Sequence, residues 1–212
     1  MSYAVTRPNS LSYFRRAGWV LRAWMKNPTQ VATVCPSSPY LTQAIADRDC
    51  VRHADTIVEL GPGAGGTTLG LLERMSANGR LVAIEKTGEL AAAAAEIVDP
   101  RLHVEHADAQ NLCRVLGDLD ISTVDVVVSG IPFSALPVPV AKRIMQSVHQ
   151  SLAPGGRFIA YQFRPDVCEF ARPLFGPPTT ETVMLNVPPL RIHVWEKVET
   201  RDPVVPETVI NA

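Results

Sequence analysis

Positions 58 to 68 read Val58-Glu59-Leu60-Gly61-Pro62-Gly63-Ala64-Gly65-Gly66-Thr67-Thr68. Glycines at this spacing let the backbone turn tightly and approach a ligand with no Cβ in the way. A helix opening directly after such a turn points free N–H groups at that ligand. The turn alone suits any nucleotide-like ligand, a nicotinamide dinucleotide included. Three further places narrow the chemistry. Glu85 follows Gly63 by 22 positions, where a carboxylate can accept both hydroxyls of a ribose. Asp108, in His106-Ala107-Asp108-Ala109, can accept from an adenine amino group. Ser129-Gly130-Ile131-Pro132-Phe133 stands where a second substrate would meet that ligand. Plainer alternatives are a salt bridge for Glu59, a helix cap for Asp108, and a core aromatic for Phe133.

The elements that must position these residues follow from hydrophobic periodicity. Short apolar runs predict strands over residues 56–60, 81–85, 102–106, 124–129 and 157–162. Helical spacing between them predicts helices over 66–76, 88–98, 109–116 and 139–152. The nearly pure valine run of 124–129 suits a strand covered on both faces. Two last strands, 182–186 and 191–197, are joined by Val187-Pro188-Pro189-Leu190. Such alternation predicts a doubly wound, mostly parallel seven-stranded α/β sheet of Rossmann type, with an antiparallel C-terminal hairpin. Upstream, helices are expected over 11–26 and over 39–49, the second capped by Ser38 with Pro39 at its first position.

Taken together, the motifs resemble the class I S-adenosylmethionine-dependent methyltransferases over about residues 55 to 198. Those enzymes share the E-x-G-x-G-x-G turn, an acid after strand two, D-A after strand three and x-x-x-P-F/Y after strand four. The Leu152-Ala153-Pro154-Gly155-Gly156 turn and the terminal hairpin fit the same family. The resemblance implies S-adenosyl-L-methionine as cofactor and S-adenosyl-L-homocysteine as product. It assigns the cofactor to Glu59, Gly61, Gly63, Gly65, Glu85, Lys86, Asp108, Ala109 and Ser129, and the acceptor to Ile131, Pro132, Phe133, Tyr161 and Tyr40.

A narrower resemblance concerns the acceptor. Phe14-Arg15-Arg16, Trp24, Asn27-Pro28, Val31, Pro36-Ser37-Ser38, Leu41, the turn from Ser129 to Pro137, and Tyr161-Gln162-Phe163 are similar to the bacterial phospholipid N-methyltransferases. These methylate phosphatidylethanolamine toward phosphatidylcholine, and close relatives methylate ornithine lipids. The resemblance implies a lipid headgroup amine as acceptor, with Phe133 and Tyr161 or Tyr40 holding the growing cation by cation–π contact. An ammonium of pKa about 10 must first lose a proton, and Tyr40, Tyr161, His53, His103 and His106 are the candidates to take it. Ribosomal RNA adenine dimethylation is the nearest alternative, although its turn opens with Asn where this chain has Ser129 or Gly130. Methylation of a small amine and a binding module without catalysis are the others.

Composition agrees with a globular chain of one domain. Of 212 residues, 46% are hydrophobic and 19% charged, for a net charge of −1. The charge is unevenly placed. From Met1 to Ala46 there are five cations and no Asp or Glu, which leaves −6 on the remainder. Arg15, Arg16, Trp19, Arg22, Trp24 and Lys26 therefore make a basic amphipathic arm, suited to an anionic membrane surface or to a lid. Domain boundaries are expected at 1–50 for this arm, 51–200 for the catalytic domain and 201–212 for a tail. Cys35, Cys50, Cys113 and Cys168 form no metal-binding pattern, and no run approaches the roughly 20 apolar residues of a membrane span. A cytoplasmic protein peripherally bound to the membrane is expected, with nucleic acid an unlikely partner.

Overall fold

A computed structural model describes residues 37–198 apart from positions 64 and 187. The six arm residues Arg15, Arg16, Trp19, Arg22, Trp24 and Lys26, the helix expected over 11–26 and the tail lie outside the described residues. The first described helix, α1 (Pro39–Ala46), is capped by Ser38, whose hydroxyl accepts the Leu41 N–H at 3.2 Å. A single helical turn, α2 (Asp49–Arg52), leads into β1 (Thr56–Leu60). Strands and helices then alternate through α3 (Gly66–Arg74), β2 (Arg80–Glu85), α4 (Gly88–Ala95), β3 (Leu102–His106), α5 (Leu112–Asp118) and β4 (Val124–Ser129). They continue through α6 (Val138–Ser151), β5 (Leu152–Gln162), α7 (Asp166–Phe175), β6 (Thr179–Val183) and β7 (Leu190–Glu196).

The seven strands form one sheet in the order β3-β2-β1-β4-β5-β7-β6. The first five are parallel to their neighbours, and β7 runs antiparallel between β5 and β6. Alternate residues of each strand feed two cores. Val58, Val82, Val127 and Phe158 pack under α5, α6 and α7. Ile57, Leu81, Val128 and Ile159 pack under α1, α2 and α3. Leu41 and Ile45 of α1 are fully buried in the second core, so this helix is part of the domain's outer layer. Among the described residues no helix is long and apolar enough to cross a membrane.

Connections leave β1 toward β2 on one side and return to β4 on the other, which makes the β1–β4 boundary the switch point of the sheet. The register levels Leu60 with Ile84 and Ser129, and Ser129 with Ala160, so the turns after these strands share one rim.

Several elements depart from the sequence reading: β5 begins at Leu152, not at 157, and takes in the expected turn at Pro154-Gly155-Gly156, and α1 ends at Ala46, short of 49. Helix α7 was not expected; its Val167 and Ala171 are buried while Pro173 sits inside it. Acidic Asp166 and Glu169 in its first turn, and Gly176 at φ +75° after it, are its signals. Strand β6 lies three residues earlier than the 182–186 expected. It is an edge strand whose Thr179 to Thr182 face solvent, and Met184 and Leu185 fall in the connection to β7.

Candidate active site

The glycine turn leaves β1 and enters α3. Gly61, Gly63 and Gly65 all have φ near the left-handed region, at +74°, +58° and +80°. At Gly63 a Cβ would meet nothing within 4 Å, so this is the open side of the turn, where a ligand can lie against the backbone. Two carboxylates converge beneath it. Glu85, at the end of β2, is buried; its Oε2 accepts the Gly63 N–H at 3.1 Å and its Oε1 the Thr87 N–H at 2.9 Å. Burial raises its pKa, and those two N–H groups oppose the rise. Glu59, in β1, is fully buried, and its Oε2 accepts from the Thr68 hydroxyl at 2.6 Å. Its Oε1 has no partner among the described residues. Burial pushes the Glu59 carboxyl up to about 7, Thr68 pulls it down, and the Glu85 charge adds to the rise.

This donor set tests which ligand the turn can take. An uncompensated carboxylate oxygen under an open glycine suits a group that is cationic and rich in N–H. A pyrophosphate placed there would meet two buried acids. The arrangement therefore fits a cofactor bearing an ammonium, a sulfonium and a ribose diol, and disfavours a dinucleotide.

Asp108 caps the 3-10 turn Ala109–Asn111, accepting the Gln110 N–H at 2.9 Å, and pairs with Lys86 at 2.9 Å. Burial works against its ionisation, but Gln110 and Lys86 prevail and hold it below the usual carboxylate range. Ala109 is buried directly behind it.

On the other side of β1, the Ser129 hydroxyl is buried and accepts the Ile131 N–H at 3.3 Å. Ile131 lies over the glycine turn, its Cγ1 only 3.2 Å from where a Gly61 Cβ would be. The Pro132-Phe133 turn follows, but the Phe133 ring points away. It is 1% exposed and packs in the core, its centroid 6.0 Å from that of Phe170. The aromatic wall expected of Phe133 is thus not provided by its ring, because the 3-10 turn Phe133–Ala135 directs the side chain inward. Tyr40 projects into solvent from the start of α1.

Tyr161, at the end of β5, is the aromatic residue that reaches the turns. A Cβ on Gly130 would lie 2.4 Å from its hydroxyl, which is 3.3 Å from Thr67 Oγ1; Thr67 in turn bonds Ser37 at 3.4 Å. Burial, then the Glu59 charge, pushes the phenol pKa up, which keeps Tyr161 a neutral hydroxyl. The histidines weighed as bases are engaged elsewhere. His53 bonds the Asp49 carbonyl at 2.9 Å ahead of β1, His103 pairs with Glu105 at 3.2 Å, and His106 bonds the Lys86 carbonyl at 3.1 Å. Sequence reasoning left Ser37, Thr67, Thr68 and Gln162 without a role at the site. The two threonines were legible as the residues that close the glycine motif.

The sheet order and the acid-backed glycine turn define a class I S-adenosylmethionine-dependent methyltransferase. Residues 57–156 match a family model described as a methyltransferase domain. An ornithine lipid N-methyltransferase of Singulisphaera acidiphila is 30% identical over 172 residues, which cover 80% of this chain and 90% of that protein. The chain belongs to the S-adenosylmethionine-dependent methyltransferase family that contains this relative. Among solved structures, an O-methyltransferase from Bacillus cereus complexed with S-adenosylhomocysteine superposes with a TM-score of 0.64 at 15% identity, covering 92% of this chain and 94% of that one. The N-methyltransferase NodS of Bradyrhizobium japonicum, also with S-adenosylhomocysteine, gives 0.61 at 13% identity, over 89% and 99%. These two share the fold.

Gly130 gives a direct test of this packing. Gly130→Ala forces Tyr161 or the Gly61 carbonyl, 3.1 Å from the new methyl, to move. It is expected to lower turnover about tenfold and stability by about 1–3 kcal/mol, the usual cost of overpacking. Initial rates and urea unfolding measure the two, and an unchanged rate would show that Tyr161 can retreat freely.

Proposed function

We propose that the chain methylates the headgroup amine of a membrane lipid, with phosphatidylethanolamine or an ornithine lipid as acceptor. The observation that carries this reading is a set of exposed apolar side chains at the end of the sheet that carries the site. Tyr40, Phe163, Met184 and Leu185 are all more than half exposed. Phe163 follows Gln162 at the end of β5, and Met184 and Leu185 follow Val183, whose partner Leu190 precedes the partner of Gln162 in β7. Asn186 Oδ1 accepts the Ser38 N–H at 3.0 Å and so brings the start of α1 to the same end. Large apolar side chains exposed at that end of the sheet suit an acceptor presented from a bilayer.

S-adenosylmethionine supplies an electrophilic methyl group on its sulfonium sulfur. The remaining work falls to the protein's own groups. Glu59 holds the ammonium end and Glu85 the ribose, while Gly63 lets the ligand approach the backbone. Tyr161 and Ile131 shape the space for the amine, and alignment of the nitrogen contributes most of the acceleration. Methylation of adenine in RNA is disfavoured by Gly130, because the Asn that opens the turn in adenine dimethyltransferases would need the space that Tyr161 occupies.

The test is methyl transfer from labelled S-adenosylmethionine to vesicles containing phosphatidylethanolamine or ornithine lipid, with and without anionic lipid, resolved by chromatography. Labelled lipid, increased by anionic vesicles, is expected. A protein that binds S-adenosylmethionine yet labels neither lipid would overturn the reading and favour a small amine.

A further inference from the structure

Gln162 ends β5 beside the acceptor turn and is only 6% exposed. Its Nε2 donates to the Ile131 carbonyl at 2.9 Å. That bond fixes which end of the amide is nitrogen, since a carbonyl can only accept. The other end, Oε1, is then a buried acceptor with no partner among the described residues. An amide oxygen left unpaired in a protein interior is costly, so such an atom marks a place where a donor belongs. The donors of the two adjoining turns are already used. The Ile131 N–H goes to Ser129 Oγ, the Gly130 N–H to the Leu60 carbonyl, and the Tyr161 hydroxyl lies against Thr67.

We propose that Gln162 is the residue that recognises the acceptor amine, its Oε1 accepting an N–H of the nitrogen while its Nε2 holds the Ile131 carbonyl in place. This inference rests on the lipid-amine reading above. An N–H held by Oε1 turns the nitrogen lone pair away from the glutamine, leaving it free to take the methyl group. An amide oxygen is too weak a base to keep the proton, which leaves to water. The bond is available only while the neutral nitrogen still has hydrogen to offer: twice for a primary amine, once for a secondary amine, and never for a tertiary one. Gln162 therefore favours the first and second transfers over the third. The structural alternative is a water joining Oε1 to His193 Nε2, which is also buried and unpartnered on that face of the sheet. Such a water would make no distinction among acceptors.

The experiment compares wild type with Gln162→Leu on vesicles of phosphatidylethanolamine and of its N-monomethyl and N,N-dimethyl forms. It reads kcat/KM for each, and S-adenosylmethionine affinity by calorimetry. Gln162→Leu is expected to lose about tenfold more on the first two lipids than on the third, the worth of one buried hydrogen bond, with the loss of the Ile131 bond common to all three and cofactor affinity unchanged. Equal losses on all three, or none, would overturn the assignment. A wild type that stops at the dimethylated lipid shows the N–H requirement directly. The variant must then lose at least tenfold on both remaining lipids, and a loss below threefold overturns the assignment. Should Gln162→Leu fail to bind S-adenosylmethionine, Gln162→Met, closer in length, is held to the same outcomes. A wild type inactive on every lipid amine marks failure of the lipid reading instead, and that appears before any variant is made.

Discussion

Glu85→Ala is expected to weaken S-adenosylmethionine binding at least a hundredfold, measured by calorimetry, while leaving the fold intact. Glu85 serves the site twice. Its oxygens hold the Gly63 and Thr87 amides at 3.1 and 2.9 Å, which sets the shape of the turn and of the loop after β2. In the cofactor reading proposed above, their remaining lone pairs are free to accept a ribose diol. Hydrogen bonds to a charged group contribute about 1.5–3 kcal/mol each, and 1.4 kcal/mol is tenfold, so losing two exceeds a factor of a hundred. The apo-protein has less to lose. Glu85 is buried, and its charge adds to the forces that raise the Glu59 pKa, so removing it relieves a repulsion. Glu85→Gln keeps the volume but turns an N–H₂ toward one of the two amides, and is expected to fall between wild type and Ala. Affinity within threefold of wild type in Glu85→Ala would remove Glu85 from the cofactor site.

That residue was legible in the sequence because its position follows from local rules: a strand ends, an acid stands at its end, and the distance from the glycine turn is fixed. The same locality made Gly61, Gly63, Gly65 and the five parallel strands readable. What was not legible depends on direction or on partners distant in sequence. Pro132-Phe133 marked the acceptor turn, but the short 3-10 turn sends its ring into the core against Phe170, and no spacing encodes that rotation. Tyr161 and Gln162 are adjacent, yet the strand puts their side chains on opposite faces. One reaches Thr67 and the other the Ile131 carbonyl. The shift of β6 has a similar origin. Its place is set by pairing of Val183 with Leu190, whereas the apolar Met184 and Leu185 that suggest a strand lie exposed in the connection.

Glu59→Gln is expected to flatten the pH dependence of apo-protein stability, with a difference from wild type on the order of 3 kcal/mol. Burial pushes Glu59 from 4.5 up to about 7, so the folded state holds a proton that the unfolded chain has released. Stability from this group is fully present below about 4.5 and is lost as pH rises through 7. Urea unfolding from pH 5 to pH 8 should show wild type declining relative to Glu59→Gln, with other titrating groups common to both and cancelling. Parallel curves would mean that Glu59 ionises normally. The cofactor reverses the preference. An ammonium brought to the unpartnered Oε1 stabilises the carboxylate, so binding expels the proton and wild-type affinity must rise with pH up to about 7, while Glu59→Gln binds weakly at every pH. A buried acid that destabilises the empty site and is satisfied only by a cation-bearing ligand accounts for both slopes with one group. The same proposal gives a use to the one Glu59 oxygen, Oε1, that has no partner among the described residues.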